Sequence, residues 1–154
     1  MIRRYGWIAL AVLVLDQAVK QLARGLDAPF ALIPGVLGFT YAENTGMAFS
    51  LFSGRSWLLG VLSAAVIVIG YLVLRRYRLG GAASVAAMLM LGGAAGNMID
   101  RFACGYVVDM FEVLLFRFAI FNVADAALTI GCGIMAASLL FRPDEWSEKN
   151  HGSK

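Results

Sequence analysis

The chain has 154 residues, of which 60% are hydrophobic and 15% charged, and its mean hydropathy is +0.76. One soluble core of this size cannot hide so much apolar surface, so an integral membrane protein is expected. Net charge of +3 and a pI near 9.1 raise nucleic acid as a partner, but the Lys and Arg form small clusters beside apolar segments instead of a stripe among exposed aromatics, so no nucleic acid is expected.

Cys104 and Cys132 lack CxxC spacing, and His151, the only histidine, lies in a polar tail. A His/Cys metal centre is therefore not expected, and the cysteines read as packing residues. No linker, low-complexity run or internal repeat divides the chain, so residues 1–154 read as one membrane domain.

At ~20 residues per crossing, four stretches can span a bilayer as helices: Trp7 to Ala23, Trp57 to Leu74, Ala82 to Ile99 and Phe118 to Phe141. The first follows Arg3 and Arg4 as a signal peptide would. No small-x-small cleavage site follows it, however, and Asp16 and Lys20 interrupt its pattern, so it reads as a retained helix. A charged side chain at mid-span costs about 2.5–3.5 kcal/mol on insertion scales. Asp16 and Lys20, one turn apart with Gln17 and Gln21 beside them, are either a local ion pair or a support for a site formed with other helices.

The connection from Gly25 to Ser56 carries Pro29, Pro34 and Gly35, then the β-branched and aromatic run Val36 to Glu43, then the turn-like Asn44-Thr-Gly46 ahead of Met47-Ala-Phe49. A β-hairpin or small sheet is expected, and its apolar content suits a cap on the bundle at the membrane surface. In the third span, Gly92, Gly93 and Gly96 among alanines permit close approach of a neighbouring helix.

That span ends in Gly96-Asn-Met-Ile-Asp-Arg101, with Asn97 and Asp100 on one face and Asp100 and Arg101 able to form a helix-terminal ion pair. The connection 100–117 then presents Val107-Val-Asp109 where the chain approaches the membrane again. The fourth span carries Phe121-Asn-Val-Ala-Asp125, with Asn122 and Asp125 on one face that Thr129 continues. Asp109 is the natural partner for Asp125. Two carboxylates close together in a low-dielectric site cannot easily both ionise and so share a proton, the arrangement of water-activated peptide hydrolysis.

Orientation follows from the basic residues. Arg3, Arg4, Arg75, Arg76, Arg78, Arg142, Lys149 and Lys154 outnumber Lys20, Arg24, Arg55, Arg101 and Arg117 on the opposite side, which predicts cytoplasmic termini and outward-facing connections at 25–56 and 100–117.

In order, Asp16-x-x-x-Lys20, Asn44-Thr-Gly-Met-Ala-Phe49, Gly96-Asn-x-x-Asp100-Arg101, Val107-Val-Asp109 and Phe121-Asn-x-Ala-Asp125 resemble the motif set of the lipoprotein signal peptidase (type II signal peptidase) family. Any one pattern alone is weak; the ordered set covers nearly the whole chain. The resemblance implies an all-α membrane protein with four transmembrane helices, a small periplasmic β-cradle and a periplasmic loop. It implies an aspartyl endopeptidase of the bacterial inner membrane, needing no cofactor or metal, that removes signal peptides from prolipoproteins by cutting before a diacylglyceryl-modified cysteine. By motif match Asp109 and Asp125 are the catalytic pair, while Asp16, Lys20, Asn44, Gly46, Asn97, Asp100, Arg101 and Asn122 orient that pair or contact the substrate. Membrane lipid as a partner and inhibition by the cyclic peptide globomycin are further implications.

Three other readings compete. A small-solute transporter also buries carboxylates, but repeats or broken mid-membrane helices are its usual signs, and here the polar residues gather toward one face. A metal-dependent lipid phosphotransferase wants closely spaced carboxylates on one element, whereas a Gly-containing loop separates Asp100 from Asp109. A serine–lysine peptidase needs a serine beside Lys20, which is instead spaced to pair with Asp16.

Overall fold

A computed structural model describes residues 2–46, 54–143 and 146–148. Met47 to Phe49 of the second motif and His151 lie outside the described residues. Four helices are long and apolar enough to cross a membrane: α1 (Ile2–Arg24), α2 (Ser56–Arg76), α3 (Gly81–Ala103) and α4 (Val123–Phe141). A helix is the form such runs must take in hydrocarbon, because it satisfies every backbone N–H and C=O within the segment. On α2 alone Val61, Leu62, Val66, Val68, Ile69 and Leu72 are exposed, a surface suited to lipid and not to water.

The helix α3 is the hub. Of its most apolar window 56% is buried, against 17–22% for the other three, and its buried face is built largely from Ala83, Ala86, Ala87, Gly92, Gly93, Ala94 and Gly96. The absent side chains are what allow the approach. A Cβ on Gly92 would stand 2.7 Å from the Ala9 carbonyl of α1, and one on Gly93 would stand 2.5 Å from the Ala124 carbonyl of α4, both far inside van der Waals contact.

The end of the bundle where α1 and α3 finish and α2 and α4 begin carries a three-stranded antiparallel sheet, ordered β1 (Phe30–Ile33), β2 (Leu37–Asn44) and β4 (Val107–Val113). The expected hairpin is β1–β2. Its third strand comes from the connection after α3, which offered no assignable element beyond its aspartate. Both faces of β4 are buried from Val107 to Met110, because Val108 and Met110 pack with Ala23 of α1 while Asp109 on the other face is held by Asn44 and Asn122, so the strand lacks the alternation that marks a half-exposed one. Phe30, Phe39, Phe111, Phe121, Phe118 and Phe116 follow one another in ring contact at 5.5–6.2 Å, fastening the sheet to the segment that leads into α4.

Three boundaries differ from the sequence reading by more than two residues. The first helix begins at Ile2 instead of Trp7 and the third continues past Ile99 to Ala103; the fourth starts at Val123 instead of Phe118, because Asn122 caps it and residues 114–122 complete the sheet side. At the opposite end, β3 (Tyr77–Arg78) pairs with β5 (Ser147–Glu148), tying the tail to the α2–α3 turn. Trp146 Nε1 donates to Ser138 Oγ at 3.2 Å beside it. Cys104 and Cys132 are exposed, not packed; Cys104 Sγ accepts from Arg24 Nη2 at 3.4 Å.

Candidate active site

The ten site residues named from the motifs, nine polar side chains and Gly46, converge where the sheet meets the helix ends. Lys20 is the knot. Its ammonium has three hydrogens and meets three acceptors, Asp16 Oδ2 at 2.8 Å, Asp100 Oδ2 at 3.0 Å and Asn97 Oδ1 at 3.1 Å, so its donors are used up. Asp16 and Lys20 are fully buried and Asp100 is 1% exposed. Both readings of the Asp16–Lys20 spacing hold at once: the pair forms within α1 and also joins elements distant in sequence.

Each supporting carboxylate grips the backbone beside one of the two remaining aspartates. Asp16 Oδ1 accepts the Ala124 N–H at 2.9 Å, in the first turn of α4 next to Asp125. Asp100 Oδ2 accepts the Val108 N–H at 3.1 Å, next to Asp109 on β4. Lys20 holds the two clamps together, so the spacing between Asp109 and Asp125 is set by a charged frame behind them. Gln17 Nε2 completes it, its two hydrogens shared among Asp16 Oδ2, Asp100 Oδ1 and the Gly96 carbonyl, each at 3.3 Å. A Cβ on Gly96 would collide with the Asp16 carboxylate, so the glycine leaves the space that the carboxylate fills. This corrects its reading as helix packing alone.

Asp100 does not pair with Arg101. Its cations are Lys20 and, at 3.8 Å, Arg24, because consecutive residues on a helix point about 100° apart and Lys20 already stands on the side Asp100 faces. The signal for Arg24 was present: Asp16, Lys20 and Arg24 recur at four-residue steps on one face. Arg101 instead points to the other aspartates. It is half-buried, its Nη2 lies 3.4 Å from the Gly46 carbonyl, and its charge is felt by Asp125 first, then by Asp109 and Asp100. Its Nε is buried without a hydrogen-bond partner among the described residues.

In front of this frame, Asn122 caps α4. Its side chain accepts the Asp125 N–H at 2.8 Å, and the Asp125 carboxylate accepts the Asn122 N–H at 3.4 Å, a reciprocal capping box. Asn122 Nδ2 donates to Asp109 Oδ1 at 2.6 Å and to Asn97 Oδ1 at 3.2 Å. Asn97 Nδ2 donates to Asp125 Oδ1 at 2.7 Å, and Asn44 Nδ2 to Asp109 Oδ2 at 2.9 Å. Burial pushes the Asp109 carboxyl up to about 6, with the nearby Asp125 adding to the rise and the Asn44 and Asn122 hydrogen bonds and Lys20 opposing it.

Asn44 reaches Asp109 because β2 contains one extra residue. Phe39 pairs with Phe111, yet Ala42, not Tyr41, pairs with Asp109. Opposed residues share a face, so the bulge puts Ala42 and Asn44 on the Asp109 side and turns Glu43 away. Glu43 instead accepts the Tyr41 hydroxyl at 2.8 Å.

Asp109 and Asp125 open together onto a groove of about 1100 Å³ lined by Asn44, Gly46, Asn97, Arg101 and the apolar Phe118, Ile120 and Leu128, with Arg117 and Glu43 also contributing. Two carboxylates held by amide donors, beside a cation and an apolar wall, can activate a water against a carbonyl in a bound chain.

Comparison with known proteins bears on this geometry. The model of the family described as Peptidase_A8, Signal peptidase (SPase) II, matches residues 8–141. A protein of Latilactobacillus sakei subsp. sakei named lipoprotein signal peptidase is 42% identical over 137 residues, 85% of this chain and 88% of that one. The lipoprotein signal peptidase of Trichormus variabilis is 42% identical over 153 residues, covering 92% and 93%. A solved structure described as a bacterial membrane enzyme superposes with a TM-score of 0.87 at 28% identity, covering 100% of this chain and 96% of the other.

Proposed function

The chain belongs to the signal peptidase II family, a family of peptidases, and from that premise we propose that it is an aspartyl endopeptidase that removes signal peptides from bacterial prolipoproteins, cutting on the N-terminal side of a diacylglyceryl-modified cysteine. The observation that carries the reading is the pair Asp109 and Asp125, each held by asparagine amides at 2.6–2.9 Å at one end of an apolar-walled groove. The relatives' name supplies the substrate class.

In this mechanism one aspartate takes a proton from water, the water oxygen bonds to the scissile carbonyl carbon, and the proton held by the pair meets the developing oxyanion. A proton from the pair then reaches the leaving amine. Arg101, with its half-buried guanidinium on the groove, and the Gly46 turn are placed to meet substrate backbone. The substrate is itself an apolar segment bearing acyl chains, which fits a groove bordered by Phe118, Ile120 and Leu128 and open at the bundle's end.

Location is part of the proposal. The basic residues put both termini in the cytoplasm and the groove near the periplasmic face of the inner membrane. Purified protein is expected to cleave a diacylglyceryl-modified prolipoprotein with a chelator present, and globomycin is expected to block it. Cleavage abolished by the chelator, or unaffected by Asp109→Asn, overturns the aspartyl reading.

A further inference from the structure

We infer that the proton shared by the two aspartates resides on Asp125 Oδ2, that Asp109 is the carboxylate that activates water, and that Asn44 is the positioning residue that fixes this division. The catalytic meaning rests on the peptidase reading above; the hydrogen-bond pattern does not.

Three asparagines surround the pair, and each has its amide orientation set by a partner that can only donate. Asn44 Oδ1 accepts the Gly46 N–H at 3.0 Å, Asn97 Oδ1 accepts Lys20 Nζ at 3.1 Å, and Asn122 Oδ1 accepts the Asp125 N–H at 2.8 Å. All three Nδ2 groups must then face the carboxylates as donors. Asp109 receives one on each oxygen, Asn122 Nδ2 on Oδ1 at 2.6 Å and Asn44 Nδ2 on Oδ2 at 2.9 Å. Two occupied acceptors are the condition that favours an ionised carboxylate.

Asp125 is satisfied differently. Its Oδ1 receives Asn97 Nδ2 at 2.7 Å, but among the described residues its Oδ2 has only the Asn122 N–H at 3.4 Å. A proton placed there gives up the weakest hydrogen bond of the four. The positive end of α4 favours an anion at Asp125, yet the capping N–H that would deliver much of that preference is the long one. Charged groups do not separate the two: Lys20 of α1 acts on both, as does Arg101 of α3. Glu43 of β2, its carboxylate turned to the Tyr41 hydroxyl, borders the groove common to both, as does Arg117 of the segment before α4, and Asp100 is occupied with Lys20 behind the site. Asp109, pushed up to about 6, is still ionised at neutral pH.

The steps then balance. Asp109 accepts a proton from water while the water oxygen bonds to the carbonyl carbon. The carbonyl π pair moves to its oxygen, which takes the proton from Asp125 Oδ2, giving a neutral gem-diol. On collapse the C–N bond breaks, its nitrogen takes the proton now on Asp109, and a gem-diol hydroxyl returns a proton to Asp125 Oδ2. One water is consumed, an acid and an amine leave, and the pair is restored.

Infrared spectroscopy and pH profiles of wild type, Asp125→Asn and Asn44→Ala test the assignment. At neutral pH the wild type should show a protonated-carboxyl stretch that Asp125→Asn abolishes and that Asn44→Ala leaves in place, because Asn44 touches Asp109 alone of the pair, with a second, Asp109 band growing in beside it as that carboxyl loses a donor. In kcat/KM, Asn44→Ala should move the acidic limb up by about one pH unit, the order of one lost hydrogen bond to a carboxylate, and leave the basic limb where it was. A stretch that persists in Asp125→Asn, is absent from wild type, or shifts in Asn44→Ala overturns the assignment, as does movement of the basic limb. The wild-type and Asp125→Asn spectra need neither substrate nor the Asn44 variant. A chain that cleaves no prolipoprotein therefore refutes the peptidase reading while the spectra still decide where the proton sits.

Discussion

Replacing Lys20 by Met removes one charge from a frame that holds two carboxylates, and the structure says which suffers more. Asp100 keeps Arg24 Nη2 at 3.8 Å, whereas Asp16 has Lys20 as its cation at 2.8 Å and no other among the described ion pairs. Leaving a buried charge unpaired costs about 3–5 kcal/mol. For a chain of this length that is a fall in unfolding midpoint of roughly 10 °C.

Thermal unfolding in detergent, followed by circular dichroism at pH 7, measures the fall. Adding Asp16→Asn to Lys20→Met should restore most of the midpoint, since an Asn Oδ1 can still accept the Ala124 N–H. A midpoint within about 2 °C of wild type at pH 7 would show that Lys20 is not the tie between the two clamps.

Three further outcomes follow from the same geometry. Gly96→Ala should abolish cleavage and lower the unfolding midpoint, because its Cβ displaces the Asp16 carboxylate; a cleavage assay beside a melting curve checks it. Asp109, pushed up to about 6 from 3.8, gives a stabilising contribution that is full below pH 3.8 and lost as pH rises through 6, at most about 3 kcal/mol. Asp109→Asn should therefore flatten stability against pH over that window in detergent melts while eliminating cleavage. Deleting Thr40 should remove the extra residue of β2 and bring Glu43 to the Asp109 face in place of Asn44, with loss of turnover in the cleavage assay while the four helices persist by circular dichroism.

The helices were legible because hydrocarbon leaves an apolar run almost one choice of backbone. The hairpin was legible because Pro29, Pro34 and Gly35 punctuate a β-branched run. The strand β4 was not, since Val107 to Met110 is buried on both sides and a short apolar run without alternation has no period to read. The polar residues announced themselves by their cost in a membrane, but cost names a residue without naming its partner. Sequence adjacency suggested Arg101 for Asp100, and the fold supplied Lys20 from a helix 80 residues earlier.

The bulge in β2 shows why the partner assignments could not be read one residue at a time. Asn44 and Glu43 are neighbours, and a strand of regular pairing would present Glu43, a third carboxylate, to Asp109. Such a neighbour would supply no donor to Asp109 Oδ2 and would add a like charge to a site that already holds two aspartates. One extra residue between Phe39 and Ala42 exchanges that repulsion for an amide whose orientation the Gly46 N–H then fixes. The motif Asn44-Thr-Gly46 therefore carries chemistry only in combination with an irregularity several residues upstream, where nothing in residue type marks it. Conversely, the frame behind the site depends on contacts that tolerate no such slack: Lys20 has no spare hydrogen, and Gly96 no spare space. Register decides what faces Asp109, and buried charge decides how far Asp109 stands from Asp125.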